Sequence, residues 1–223
     1  MKKNIIALAI LLVAGVAAAT SSNAQVVTSV DTGTATSATA ASAGVGSAFS
    51  SQSALAFATA TGAATSEGAS AGPVSFGAAA VEGSATTLGT VYSLSATTGN
   101  GAANGSATAV ASAGSTANAA YNAGTVNGVV GGTAISNTNN QVATAAGPGT
   151  GIAFIGSTVG TVATYSANAA SLNTALDSTT SSNAEASSIS GATGVVNTVY
   201  GNAITLSNGG LNNGQATAFT NNF

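Results

Sequence analysis

The chain has no cysteine, no histidine and no tryptophan, and its only cationic side chains are Lys2 and Lys3. Each absence removes a class of function. Without cysteine there is no disulfide framework, even in an oxidising compartment. Without cysteine and histidine the usual transition-metal sites are gone. A serine nucleophile beyond the first residues has no imidazole or lysine to activate it. Binding to a phosphate backbone needs cationic side chains, so nucleic acid is excluded as a partner. An anionic membrane surface is disfavoured for the same reason. The acidic residues are Asp31, Glu67, Glu82, Asp177 and Glu185, too scattered along the chain for a calcium loop. Pro73 and Pro148 are the only prolines. Disordered chains combine low hydrophobicity with high charge or many prolines, and this composition does neither.

What is present begins with a targeting pattern. Lys2 and Lys3 precede the apolar run "IIALAILLVAGVAAA", and "SNA" follows with small residues at Ser22 and Ala24. This is the order of a secretory signal peptide spanning 1–24, with cleavage expected between Ala24 and Gln25. The mature chain is then expected to carry acidic side chains only. Most of its apolar count is alanine, which offers little area for burial at roughly 25 cal/mol per Å². A lone globule of this composition would have a thin core.

Two stretches read almost alike. "TVYSLSATTGNGAANGSATAV" covers 90–110 and "TVYGNAITLSNGGLNNGQATAF" covers 198–219. "TSATAASAGVGSAF" (36–49) likewise aligns with "QVATAAGPGTGIAF" (141–154). The offset is 105, then 108, then 109 residues, and it sets Phe57 opposite Tyr165. The pattern predicts a duplication, with a first β repeat at 36–115 and a second at 141–223. A short N-terminal arm (25–35) precedes them and a connector (116–140) joins them. Each unit is longer than one coil of an ordinary solenoid.

The local pattern predicts strands. "SALAFATATG" (53–62), "SATAVASAG" (106–114), "GTVATYSAN" (160–168) and "QATAFTNN" (215–222) alternate with period two. Valine, threonine, isoleucine and aromatics suit a pleated surface. No segment carries the large-apolar stripe of an amphipathic helix. Asn-Gly pairs at Asn100-Gly101, Asn104-Gly105, Asn127-Gly128, Asn208-Gly209 and Asn213-Gly214 are read as tight turns, because this dipeptide accepts positive φ. The fold class expected is all-β: two tandem related repeats built as solenoid-like or sandwich-like sheets. Alanine, glycine and serine on a sheet face let sheets approach closely. The absence of lysine leaves edge strands without their usual protection, so polymerisation is expected. Phe49, Phe57, Tyr92, Phe154, Tyr165, Tyr200 and Phe219 are read as packing anchors of the alanine-rich sheets.

Candidate chemistry is thin. "VDTG" at Asp31 resembles the active-site turn of aspartic proteases, which needs a second carboxylate across a dyad. The position aligned with Asp31 is Ser136, which supplies none. "GVGSAFS" (44–50) and "GPGTGIAF" (147–154) contain G-x-G, yet no phosphate-pairing lysine follows. These glycines are read as bends or points of close sheet approach. No catalytic residue, metal ligand or cofactor is expected, and the chain is read as a non-enzyme. The composition and turn spacing resemble, at class level, the secreted bacterial fibre subunits of curli-like functional amyloids and pilus-like matrix proteins. The strict curlin repeat is not present. That resemblance implies an exported structural subunit, extracellular or at the surface of a Gram-negative-type bacterium. Its partners are expected to be further copies of itself and the export machinery, with no membrane in the assembled state. The alternative is a monomeric surface-binding β module of the adhesin or ice-binding type. An outer-membrane barrel ranks below both, since ten aromatics cannot furnish its girdles.

Overall fold

The computed structural model describes the backbone of residues 21–222, and the side chains within that range except at 21, 192–198, 205–211 and 222. The segment read as a signal peptide (1–24) falls almost wholly outside the described residues. The rest is strand: β1 (Ser21–Ala71), β2 (Val74–Ala123), β3 (Val126–Asn173) and β4 (Ser178–Asn222). They form one antiparallel sheet in the order β1-β2-β3-β4. The fold is therefore all-β.

The connections are short. Gly72-Pro73 joins β1 to β2, and the pair Ala71–Val74 closes the turn. Gly124-Thr125 joins β2 to β3, closed by Ala123–Val126. In both, glycine takes the first turn position with positive φ, 56° at Gly72 and 57° at Gly124. That is the pattern of a two-residue II′ hairpin, whose twist suits the flanking strands. The third turn, 174–177, is held by the Thr174 hydroxyl. It accepts from the Asp177 amide at 2.9 Å and donates to the Asp177 carbonyl at 3.0 Å. None of the five Asn-Gly pairs forms a hairpin turn, and Asn127-Gly128 lies at the start of β3. Asn104-Gly105, Asn208-Gly209 and Asn213-Gly214 lie within strands. Asn-Gly favours positive φ but does not compel it, and ladder pairing on both sides holds these residues extended.

Strands of 45 to 51 residues are far beyond ordinary length. They are accommodated because every strand doubles back near its middle. Thr87 pairs with Thr161 in the β2–β3 ladder, yet its hydroxyl meets those of Ser136 and Thr138 at 2.8 Å. Thr138 lies some twenty residues from Thr161 along β3. At about 3.3 Å per residue a flat sheet would hold them roughly 75 Å apart. Contacts within β3 agree: Asn140 reaches Ser157, and Ser136 reaches Thr161. The fold line is written in glycine. Positive φ recurs at Gly44, Gly99, Gly147, Gly149 and Gly201, one or two per strand. The ladders break register between Ser42 and Gly46, between Thr97 and Ala103, and between Ala146 and Gly151.

Each strand thus has a leading half before its bend and a trailing half after it. One layer contains leading β1, trailing β2, leading β3 and trailing β4. The other contains trailing β1, leading β2, trailing β3 and leading β4. The two layers pack face to face as a sandwich cut from a single sheet. The core between them is mostly alanine, with Val81, Val91, Val130, Val142, Ile155, Tyr121 and Tyr165 as its larger members. The layers lie close enough for side chains of one to reach backbone of the other. Ser136 Oγ donates to the Thr161 carbonyl at 2.8 Å, and Ser50 Oγ to the Asn104 carbonyl at 2.6 Å. The close sheet approach expected from small residues therefore occurs within one chain.

The segment read as an N-terminal arm (25–35) is part of β1, and the connector (116–140) is the central hairpin of β2 and β3.

Candidate functional site: sheet edges and an aromatic face

Antiparallel partners present their side chains on the same face of a sheet, so the ladder assigns every strand position to an inner or outer face. On leading β1 the inner face carries Val26, Thr28, Val30, Thr32, Thr34, Thr36, Ala38 and Ala40, which pair with the buried row of trailing β2. On leading β4 it carries Thr180, Ser182, Ala184, Ala186, Ser188 and Ser190, paired with the buried row of trailing β3. Both inner faces point toward the sandwich interior, yet the inner-face side chains named here are all exposed. By contrast, Ala58, Ala60 and Ala64 of trailing β1 and Ala216 and Ala218 of trailing β4 pack against the core.

The cause is a sideways stagger of the layers. Trailing β2 lies over trailing β1, through Ser50 and Asn104. Leading β3 lies over leading β2 and trailing β3 together, because Asn140 Nδ2 donates to the carbonyls of both Gly89 and Ser157 at 2.9 Å. Trailing β4 lies over trailing β3 and leading β4 together, because a side chain added at Gly214 would meet both Thr161 and Ser188. Leading β1 therefore overhangs one side of the sandwich by part of its width, with Val26 still beside Gly62 of trailing β1, and leading β4 overhangs the other in the opposite layer, with Ser188 still beside Gly214. Among the described residues β1 and β4 are also the two edges of the sheet, each with one neighbouring strand. An edge presents unpaired amide N–H and carbonyl groups along its length.

The anchor residues fall mostly on one outer surface. Phe49 and Phe57 in β1, Tyr92 in β2, Phe154 in β3 and Tyr200 in β4 all point outward from the layer containing trailing β1. Phe49, Ala96, Ile152 and Tyr200 form a single cross-strand row. Beside it, Tyr92 stacks on Phe154 with ring centroids 6.4 Å apart. Phe49 is 55 % exposed and Tyr200 65 % exposed, one at each edge of the sheet. Phe219 points outward from the other layer, opposite Gly131. Tyr165 alone of the seven is buried, its hydroxyl 3.1 Å from Ser115 Oγ. The buried Tyr121, absent from that set, bonds Ser171 Oγ at 2.7 Å. Burial raises the phenol pKa of both Tyr121 and Tyr165, and the serine bond partly offsets it. Asn100-Gly101 sits at the bend of β2, directly after Gly99. Tyr92 lies seven positions before Gly99, whereas Tyr200 directly precedes Gly201, so the two tyrosines occupy different places relative to the bends.

The carboxylates are dispersed. Asp31, Glu67, Glu82 and Glu185 lie on outer faces and Asp177 in the last turn. Among the described residues no three metal-ligating side chains gather. An open cleft of about 320 Å³ lies beside Tyr165, bounded by Thr61, Gly62, Glu82 and Ser166, with Glu82 its single ionisable carboxyl. The surface offers strand edges, hydroxyl rows and aromatic rings rather than a cluster of acids and bases. No protein-family model matches the chain, and no curated protein matches it.

Proposed function

We propose that this protein is an exported structural subunit of an extracellular filament or biofilm-matrix fibre, built by β-strand pairing between copies. The observation that carries the reading is the pair of edge strands among the described residues, β1 and β4, each more than forty residues long and without a single lysine or arginine. Soluble β proteins blunt such edges with charge, proline, short strands or bulges. Here the edge strands hold two carboxylates within their halves nearest the overhangs, Asp31 and Glu185, both directed outward. Low net charge leaves little repulsion between copies. A chain built from two related repeats suits the same role, because each hairpin, β1–β2 or β3–β4, presents an edge and a bend of its own. Secretion as a leader-bearing precursor accords with assembly outside the cell.

The aromatic face supports a second reading, a monomeric module that binds a carbohydrate or solid surface. Phe49, Phe57, Tyr92 and Tyr200 form an exposed patch of the kind that marks interaction sites. Electron microscopy of the purified, detergent-free mature chain separates the two. Filaments support the structural subunit. A uniform monomer at high concentration that binds a surface through these rings supports the module and overturns the filament.

A further inference from the structure

We propose that consecutive copies of this chain join head to tail by a half-lap joint, in which the edge strand β1 of one copy pairs antiparallel with β4 of the next in both layers at once. The inference rests on the filament reading and specifies its contact. Three features of the structure select this partner and this geometry.

The first is the complementarity of the overhangs. On the β1 side the layer containing leading β1 projects and the other is recessed. On the β4 side the projecting layer is the other one, through leading β4. Placing a second copy beside the first fills each recess with the other's projection. The inner face of leading β1, from Val26 to Ala40, then covers the serine and alanine face of leading β4, from Thr180 to Ser190. Both faces are uncharged and lined with small or β-branched side chains, as the existing core is. The join repeats the stagger already present inside the chain.

The second is direction. The four strands alternate, so β4 of one copy runs antiparallel to β1 of the next when the copies are related by translation. The meander continues without a break, and the edge amides and carbonyls gain ladder partners. This contact is heterologous, so it generates an open filament instead of a closed dimer.

The third is the height of the bends. Inside the chain Gly46 pairs with Gly99 and Gly151 with Gly201, so the fold line runs straight across all four strands. The same line brings the bend of β4 beside the bend of β1 in the neighbour. It also extends the row Phe49–Ala96–Ile152–Tyr200, so that Tyr200 of one copy stands next to Phe49 of another. Two exposed rings become neighbours across the joint.

The absence of native cysteine makes the test direct. Side chains opposite one another on paired strands have Cβ atoms about 4.5–5.5 Å apart, within reach of a disulfide after small adjustment. Phe49→Cys and Tyr200→Cys are prepared separately, mixed as monomers, allowed to polymerise and then oxidised. The joint predicts that most cross-linked product is the 49–200 heterodimer, and that the double variant yields a ladder of oligomers. Predominant 49–49 or 200–200 products, or filaments with no 49–200 bond, overturn the joint and leave the filament reading standing. No filament from the unmodified chain under any condition overturns both. Hydrogen exchange of the unmodified chain is the second measurement. Amides of β1 and β4 should slow at least tenfold on polymerisation, and unchanged exchange there overturns the joint.

Discussion

Replacing Asn140 by alanine tests the doubled-over sheet at its most demanding point. Asn140 is 1 % exposed, and its amide nitrogen holds the Gly89 carbonyl in β2 and the Ser157 carbonyl in the other half of its own strand. The β3–β4 ladder skips Asn140, between Asn139 and Gln141. The Asn140→Ala chain keeps its backbone ladder to β2 but loses two buried hydrogen bonds, to the Gly89 and Ser157 carbonyls. A buried hydrogen bond contributes about 0.5–1.5 kcal/mol net, so losing the pair costs about 1–3 kcal/mol. With an unfolding slope of ~2 kcal/mol per M in urea, the midpoint of the dilute monomer falls by about 0.5–1.5 M. Asn139→Ala is the matched control. Asn139 faces outward and accepts from the Gln141 amide at 3.0 Å, a partner that water can replace. Its midpoint should move by no more than ~0.5 kcal/mol equivalent. An Asn140→Ala chain as stable as the control would refute the bridging of the layers by this residue, and with it the packing of β3 upon itself.

Three further outcomes follow from the same geometry. Gly99→Ala places a methyl group where φ is 61° and the Val45 carbonyl oxygen stands 2.2 Å away, so it should destabilise the monomer by at least ~1–3 kcal/mol in thermal or urea melts. Tyr121 and Tyr165 have phenol pKa values raised by burial, so folding is favoured below their unfolded pKa and that contribution is lost as pH rises through the folded values. Alkaline titration followed by near-ultraviolet absorbance and circular dichroism should show their ionisation coinciding with unfolding; smooth titration of every tyrosine before any structural change would contradict the buried placement. Thr32→Lys puts a cation on the overhanging inner face of β1, at a position exposed in the monomer. The monomer's melting should change little while filament growth, followed by light scattering, slows at least tenfold; normal growth would count against this face as a contact.

Much of the fold was legible in single residues. Period-two alternation in 53–62 and 106–114 marked strands because β-branched and aromatic residues share them with small ones. Gly44 and the Gly147–Gly149 pair were readable as bends, since neither G-x-G had a phosphate-binding context. Other features were hidden by local ambiguity. Asn-Gly was read as a turn, but the hairpin turns fell at Gly72-Pro73 and Gly124-Thr125, and the two sequence signals cannot be ranked without the ladder. Asn100-Gly101 marked a real change of direction one residue late. The aromatics at Phe49, Tyr92 and Tyr200 were expected to anchor packing, and in the monomer they stand on an outer face. Period two says that a side chain alternates, and it does not say which face is covered. Asn140 was invisible within "NTNN", because burial of one asparagine among several polar neighbours follows from a long-range fold-back. The free edges were anticipated from the absence of lysine, a signal that survives without knowledge of strand order.

Cryo-electron microscopy of material assembled from the purified chain beginning at Gln25 is the most direct measurement. A filament of two-layered cross-section is expected, with strands about 4.7–4.9 Å apart along the axis. Each subunit should contribute four consecutive strands to each layer, and β1 should lie beside β4 of the next copy. A chain that stays a uniform monomer at high concentration, or a filament whose subunits touch through the aromatic face with β1 and β4 still unpaired, would contradict assembly through the sheet edges.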